Sequence, residues 1–328
     1  MTLRARGLQA CPTAWASSFC PDGSTICPCG IINWYWDMIR TKSSKWDLET
    51  GARLFFLCLG LINIALVILI SIYLIIAGLP AIAEIGLVEF LFGSTWASTA
   101  AEPKFGILAF ILTSFYGTAG AIVLGLPLGF FCAVYLAKLA PAKISATVEP
   151  LIDLLAGIPS VVYGFIGMLV LVPLVQRVFG LPDGASLLAA IFVLTIMILP
   201  SIIKVSITSL RAVPQEYELG SLALGATKIE TVFRVSVVAA KSGIASAVVL
   251  GVGRAIGEAM AVMMVAGNVP NMPGLFESVR FLTTAVASEM SYASGLQRDA
   301  LFSIALVLFV FIMMINATLN LVLKKGRA

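Results

Sequence analysis

Long apolar runs separated by short polar connections dominate this chain. A helix needs about 20 apolar residues to cross the hydrocarbon of a bilayer. Six stretches meet or approach that length: residues 54–79, 106–136, 151–175, 187–203, 242–266 and 300–323. The second is long enough to tilt or protrude, and Gly157 and Pro159 interrupt the third. The pattern predicts an all-α, polytopic membrane protein with six transmembrane helices. Residues 1–52 read as a cytoplasmic N-terminal extension with little order. Residues 53–105 read as the first span with an external loop, and 106–323 as the main membrane domain.

The connection 204–241 is too long for a tight turn and too polar for lipid. Pro214 suits the first turn of a helix, and Glu216 and Glu218 favour its positive end. Gly225 breaks the pattern. Thr227 and Glu230 then have capping-box spacing ahead of Val232, Phe233 and Val235. The expectation is helix, glycine hinge, helix. Its apolar stripe of Leu222, Leu224, Ile229 and Phe233 needs either a partner groove or lipid headgroups to cover it.

Composition agrees with membrane residence. Of 328 residues, 60% are hydrophobic and 12% charged, and the mean hydropathy is +1.03. A soluble domain is nearer one quarter charged. The chain has no histidine, which excludes Ser-His hydrolysis and His-bound zinc. Cys11, Cys20, Cys27 and Cys29 match no standard zinc or disulfide spacing. They read as part of an incidental extension, with Met38 a candidate natural start. Cys58 and Cys132 lie in apolar runs and read as packing residues. The first forty residues lack the apolar region of a signal peptide. Of the 21 Lys and Arg residues, sixteen fall on one side of the predicted spans, four on the other and one within. The positive-inside rule then puts both termini in the cytoplasm.

The one within is Arg254, about a dozen residues from either end of the fifth run. A charge at the bilayer centre costs about 2.5–3.5 kcal/mol on insertion scales, so Arg254 marks either a charged pathway or a structural ion pair. Glu258, four residues on, is expected on the same helical face, where it would neutralise Arg254 until an anion competes. Guanidinium stays protonated when desolvated, and its forked donors match the oxygens of a tetrahedral anion. Gly243, Ala247, Gly251 and Ala255 form a small stripe, and Gly253 with Gly257 a second. Both are expected to pack against neighbouring helices. Pro159 reads as a kink or a pathway lining. Asp153 and Lys204 are placed at membrane interfaces.

Several motifs together resemble the phosphate permeases of importer-type ABC transporters, and the PstC-type subunit more than its PstA-type partner. They are Phe90-Leu-Phe-Gly-Ser-Thr-Trp96, Phe105-Gly-Ile, Leu154-Leu-Ala-Gly-Ile-Pro-Ser-Val-Val-Tyr-Gly164, Gly253-Arg-Ala-Ile-Gly-Glu-Ala-Met-Ala261 and Ala266-Gly-Asn268. The segment Glu216 to Lys228 resembles the family's "EAA" loop. Aligned on Gly225, Leu219 stands where the family has Glu, Gly220 and Ser221 hold the two small positions, and Glu218 comes one residue early.

The resemblance implies a type-1 ABC importer permease fold and an ATP-driven import of phosphate. It assigns the substrate pathway to Arg254 and Glu258, and the ATPase coupling loop to Glu218, Leu219, Gly220, Ser221, Gly225, Ala226 and Thr227. The implied partners are a PstA-type permease chain, an ATP-binding subunit dimer and an external phosphate-binding protein. The implied location is the inner membrane. No nucleic acid, cofactor or metal is expected. No G-x-x-x-x-G-K-[ST] occurs, so ATP hydrolysis falls to another polypeptide. Alternatives are a permease for molybdate or sulfate, a stand-alone secondary transporter, and a non-transporting scaffold.

Overall fold

The computed structural model describes residues 28–325, with side chains for 50–318 and 321. The four N-terminal cysteines and Met38 lie outside the residues whose side chains are described. The chain divides into two compact units, residues 1–71 and 72–328.

In the first unit the described residues are helical. They begin helix α1 (Pro28–Ile85), in which residues 50–70 are all exposed. Residues 54–70 are apolar around the whole circumference save for Asn63, which is what a lipid-facing helix needs.

The second unit opens with the end of α1, followed by the short helix α2 (Leu87–Phe92) and a two-stranded ribbon, β1 (Trp96–Ala97) with β2 (Lys104–Phe105). Trp96 pairs with Phe105 across the ribbon and also packs on Phe110. Further helices follow. They are α3 (Leu108–Val134), ending in a π-helical turn at Tyr135–Leu139; α4 (Ala142–Gly157); α5 (Ser160–Ile166), which passes through the π turn Gly167–Leu171 into α6 (Val172–Phe179); and α7 (Leu187–Arg211). Then come α8 (Gln215–Ala223), α9 (Lys228–Thr231), the π turn Val232–Ser236, α10 (Val237–Ala239), α11 (Lys241–Gly257), α12 (Met260–Val265), α13 (Leu282–Glu289) and α14 (Gly295–Lys325).

Five helices are long and apolar enough to span. A sixth span is reached if the pair 228–239 and 241–257, bent by 70°, counts as one. The most enclosed is α7, the centre of the largest apolar core, with Leu194, Met197 and Ile198 fully buried. A second core joins Phe90, Trp96 and Phe110 to Leu282, Leu301 and Ile304.

Three expectations are corrected. The third span begins at Ser160, and residues 151–157 belong to α4. Ile158, preceding Pro159, is extended (φ −69°, ψ 129°), as sterics before proline favour. The fourth span continues through Lys204 to Arg211, because Lys204 finds a partner, Asp153 Oδ1, at 2.5 Å. The polar connection therefore begins after Arg211. The fifth run is two helices, broken at Glu258 and Ala259. The stripe Gly243, Gly251 packs inside the chain. A Cβ at Gly243 would lie 2.1 Å from Ser209 Oγ, and one at Gly251 3.0 Å from Ile202 Cδ1, both on α7.

Candidate functional site

Arg254 occupies the last turn of α11, not the interior of a continuous helix. The final carbonyls of a helix have no intrahelical donor, and the end carries partial negative charge, so a cation is favoured there. The helix ends because Glu258 adopts an extended conformation (φ −76°, ψ 127°). Beyond a break the 100° periodicity no longer applies, which removes the basis for placing Glu258 on the face of Arg254. None of the ion pairs among the described residues joins the two. Instead Glu258 Oε1 accepts the N–H of Ala261 at 2.9 Å, capping α12, and its carbonyl accepts Thr283 Oγ1 at 2.8 Å.

The partner of Arg254 is a neutral hydroxyl. Its Nη1 donates to Ser201 Oγ at 3.3 Å, and Ser201 follows Pro200 within α7. Tyr163 lies within electrostatic reach of Arg254. Its hydroxyl donates to the Leu155 carbonyl at 2.7 Å, across the break between α4 and α5. Close approach of the two broken spans depends on Gly164, where a Cβ would lie 2.7 Å from Ala261 Cα. Gly253 and Gly257, beside Arg254, face open space. The result is a guanidinium at a helix end, bonded to one hydroxyl, within electrostatic reach of a second, and beside two open glycines and a backbone break. Its forked donors are not closed off by a carboxylate. Sequence reading singled out Arg254 and set Glu258 on its face, where the break does not leave it; it missed Ser201 entirely and read Tyr163 only as part of a motif.

Within its corrected bounds the polar connection shows the expected order of helix, glycine turn and capped helix. Pro214 precedes α8 and Gly225 has φ +90°, a conformation open to glycine at little cost. Thr227 caps α9: its Oγ accepts the Glu230 N–H at 3.3 Å, and Glu230 Oε2 accepts the Thr227 N–H at 2.9 Å. That backbone bond, with the Thr227 hydroxyl, holds the Glu230 carboxyl below its ordinary range. Ser221 and Thr231 hydroxyls bond at 3.0 Å, joining the two helices. Leu219, Leu222, Leu224, Ile229 and Phe233 are exposed, Leu224 by 91%. Gly220 is exposed too and Ala226 half-buried. Glu218 turns inward, forming an ion pair with Lys138 and accepting Ser236 Oγ at 2.9 Å.

Charged ties also hold α4 to α7. Arg211 pairs with Glu149 and donates to Ser145 Oγ at 2.9 Å, and together they pull the Glu149 carboxyl below its usual range. Elsewhere, Arg280 forms a largely buried ion pair with Glu289 and donates from Nε to the Asn268 carbonyl at 2.9 Å.

Residues 125–324 match the family described as binding-protein-dependent transport system inner membrane component. The chain is 38% identical over 288 residues to a probable ABC transporter permease protein, YqgH, of Bacillus subtilis, covering 85% of this chain and 93% of that one. It is 32% identical over 309 residues to the phosphate transport system permease protein PstC of Haemophilus influenzae, covering 87% and 97%. In fold it resembles a chain of the MetNI methionine ABC transporter in an inward-facing conformation. The TM-score is 0.50 at 20% identity, over 67% of this chain and 94% of that chain.

Proposed function

The chain belongs to the binding-protein-dependent transport system inner membrane component family, and we propose that it is the permease subunit of an ATP-driven importer carrying inorganic phosphate across the cytoplasmic membrane. The fold is that of a type-1 ABC importer permease. Relatives named as phosphate permeases support the substrate. ATP is hydrolysed by a separate subunit dimer that receives the exposed apolar face of the 215–239 loop. A PstA-type permease chain and an external phosphate-binding protein complete the assembly. Both termini are cytoplasmic. Residues 53–105 add a span and an external loop to the permease domain 106–323.

The observation that carries the reading is Arg254 at the end of α11, bonded to a hydroxyl rather than a carboxylate. A phosphate oxygen can replace the 3.3 Å contact to Ser201 without first breaking an ion pair. The serine hydroxyl can then donate to a second oxygen. A site of one arginine holds the anion loosely enough to release it, as transport requires. Glu258 sets the helix break that positions Arg254, and as a carboxylate near the pathway it repels a lingering anion. Alternating access follows when ATP-driven closure moves the loop and tilts α11, presenting Arg254 to one side and then the other.

The test is phosphate uptake into proteoliposomes holding the complete complex, with and without ATP. Arg254→Gln should lower uptake by about a hundredfold to ten-thousandfold, the loss of two charge-assisted hydrogen bonds at about 1.5–3 kcal/mol each, while the complex still assembles. Undiminished uptake by an assembled Arg254→Gln complex rules the reading out. Competition by sulfate or molybdate at equal potency would reassign the substrate.

A further inference from the structure

We propose that the Glu218–Lys138 ion pair is the tie through which the cytoplasmic loop moves the second span, so that both are positioning residues for transport. The proposal rests on the reading that this loop docks on an ATPase.

Three segments converge on one carboxylate. Glu218 lies in α8, Lys138 in the π turn that ends α3, and Ser236 in the π turn that follows α9. The side chains of Lys138 and Glu218 are 11% and 23% exposed, against 59% and 52% for Lys204 and Asp153. Enclosure matters, because a shielded pair is screened little by salt, and removing one member strands the other charge.

The loop is rigid within itself. Ser221 is bonded to Thr231, and the Thr227–Glu230 cap closes the second helix. Its backbone exits are Ala212 to Pro214 at one end and the 70° bend at Ala240 at the other. The ion pair supplies a third, non-covalent connection, to α3. That helix packs on both α7 and α11, and α11 carries Arg254. A pull on α8 therefore reaches the candidate anion contact through α3 as well as along the chain. The π turns at both anchoring points are wide single turns of the kind found at functional positions.

Sequence register supports the assignment. Glu218 stands one residue before the place where the resembling loops carry their glutamate, and Leu219 fills that place. One residue is a rotation of about 100° around a helix. Leu219 is accordingly exposed and Glu218 half-buried against Lys138.

The experiment uses the complete complex in proteoliposomes, measuring ATP hydrolysis and inorganic phosphate uptake together. Glu218→Gln and Lys138→Met should each lower phosphate moved per ATP by about tenfold, within the range such coupling networks carry, with hydrolysis retained. The exchange Glu218→Lys with Lys138→Glu should restore the ratio. Parallel loss of hydrolysis and uptake in Glu218→Gln would make Glu218 a docking group and overturn the tie, as would an unchanged ratio. In the unaltered complex, a zero-length carbodiimide should join Lys138 to Glu218 both without nucleotide and with ATP trapped. Capture in one state only would also overturn it, whether or not the variants assemble. Failure of the underlying reading looks different: the unaltered complex would show no ATP-dependent uptake at all.

Discussion

Arg280 and Glu289 show how much a side chain's setting decides its value. Glu289 accepts hydrogen bonds from Arg280 and, at 3.0 Å, from Gln297 Nε2, and its side chain is 8% exposed. The Arg280 guanidinium also lies 5.9 Å from the Phe110 ring. Breaking one half of such a pair leaves an uncompensated buried charge. Glu289→Ala should destabilise the chain by about 3–5 kcal/mol, read as a lowered thermal unfolding midpoint in detergent. Arg280→Met combined with Glu289→Leu should recover most of the loss. Equal destabilisation by the single and double variants would show that packing, not charge, is at stake. Neither charge was distinctive in the sequence. Both sit in the long connection between α12 and α14, nine residues apart, and the helix α13 between them brings them together. Arg254 was legible for the opposite reason, because a cation in an apolar run needs no tertiary knowledge to stand out. Ser201 was not, since its meaning depends on a contact 53 residues away.

At the scale of elements, hydropathy located each span but misjudged where helices stop. The break at Glu258 has no proline to announce it, whereas the one at Ile158 does. The capping box at Thr227 was readable because its logic is local. The use of the small residues on α11 was not. Gly243 and Gly251 lie against α7, while Gly253 and Gly257 are open. Leucine should separate the two faces. Gly243→Leu drives a side chain into Ser209 and should cost about 1–3 kcal/mol by overpacking, lowering the unfolding midpoint. Gly253→Leu should leave that midpoint within error and block phosphate uptake, because it fills the space beside Arg254. Similar thermal losses in both variants would contradict the division of faces. Gly225 offers a second test. Its φ of +90° penalises any side chain, so Gly225→Val should cost about 1–2 kcal/mol locally. The expected readout is weaker ATPase association by pull-down, with the membrane domain unaltered.

For the whole molecule, the distribution of charge makes a claim about orientation that can be checked directly. Lys and Arg cluster at the ends of the spans that lead into the 212–240 connection, and are sparse in 86–105 and 267–297. Short loops rich in these cations stay in the cytoplasm because translocating them is disfavoured. The exposed apolar loop around Gly225 and the enclosed segment around Arg280 lie in connections separated by α11 and α12. A crossing by these helices would put the two on opposite sides. If α11 with α12 did not cross, both would face the same compartment and the loop could not meet an ATPase while Arg280 stays outside. The discriminating variants are Ala223→Cys and Asn271→Cys, both at exposed positions, in a chain whose six native cysteines are changed to serine. A membrane-impermeant maleimide added to intact cells should label position 271 and leave 223 untouched until the membrane is opened. Labelling of both from outside would remove α11 from the membrane, and with it any pathway past Arg254.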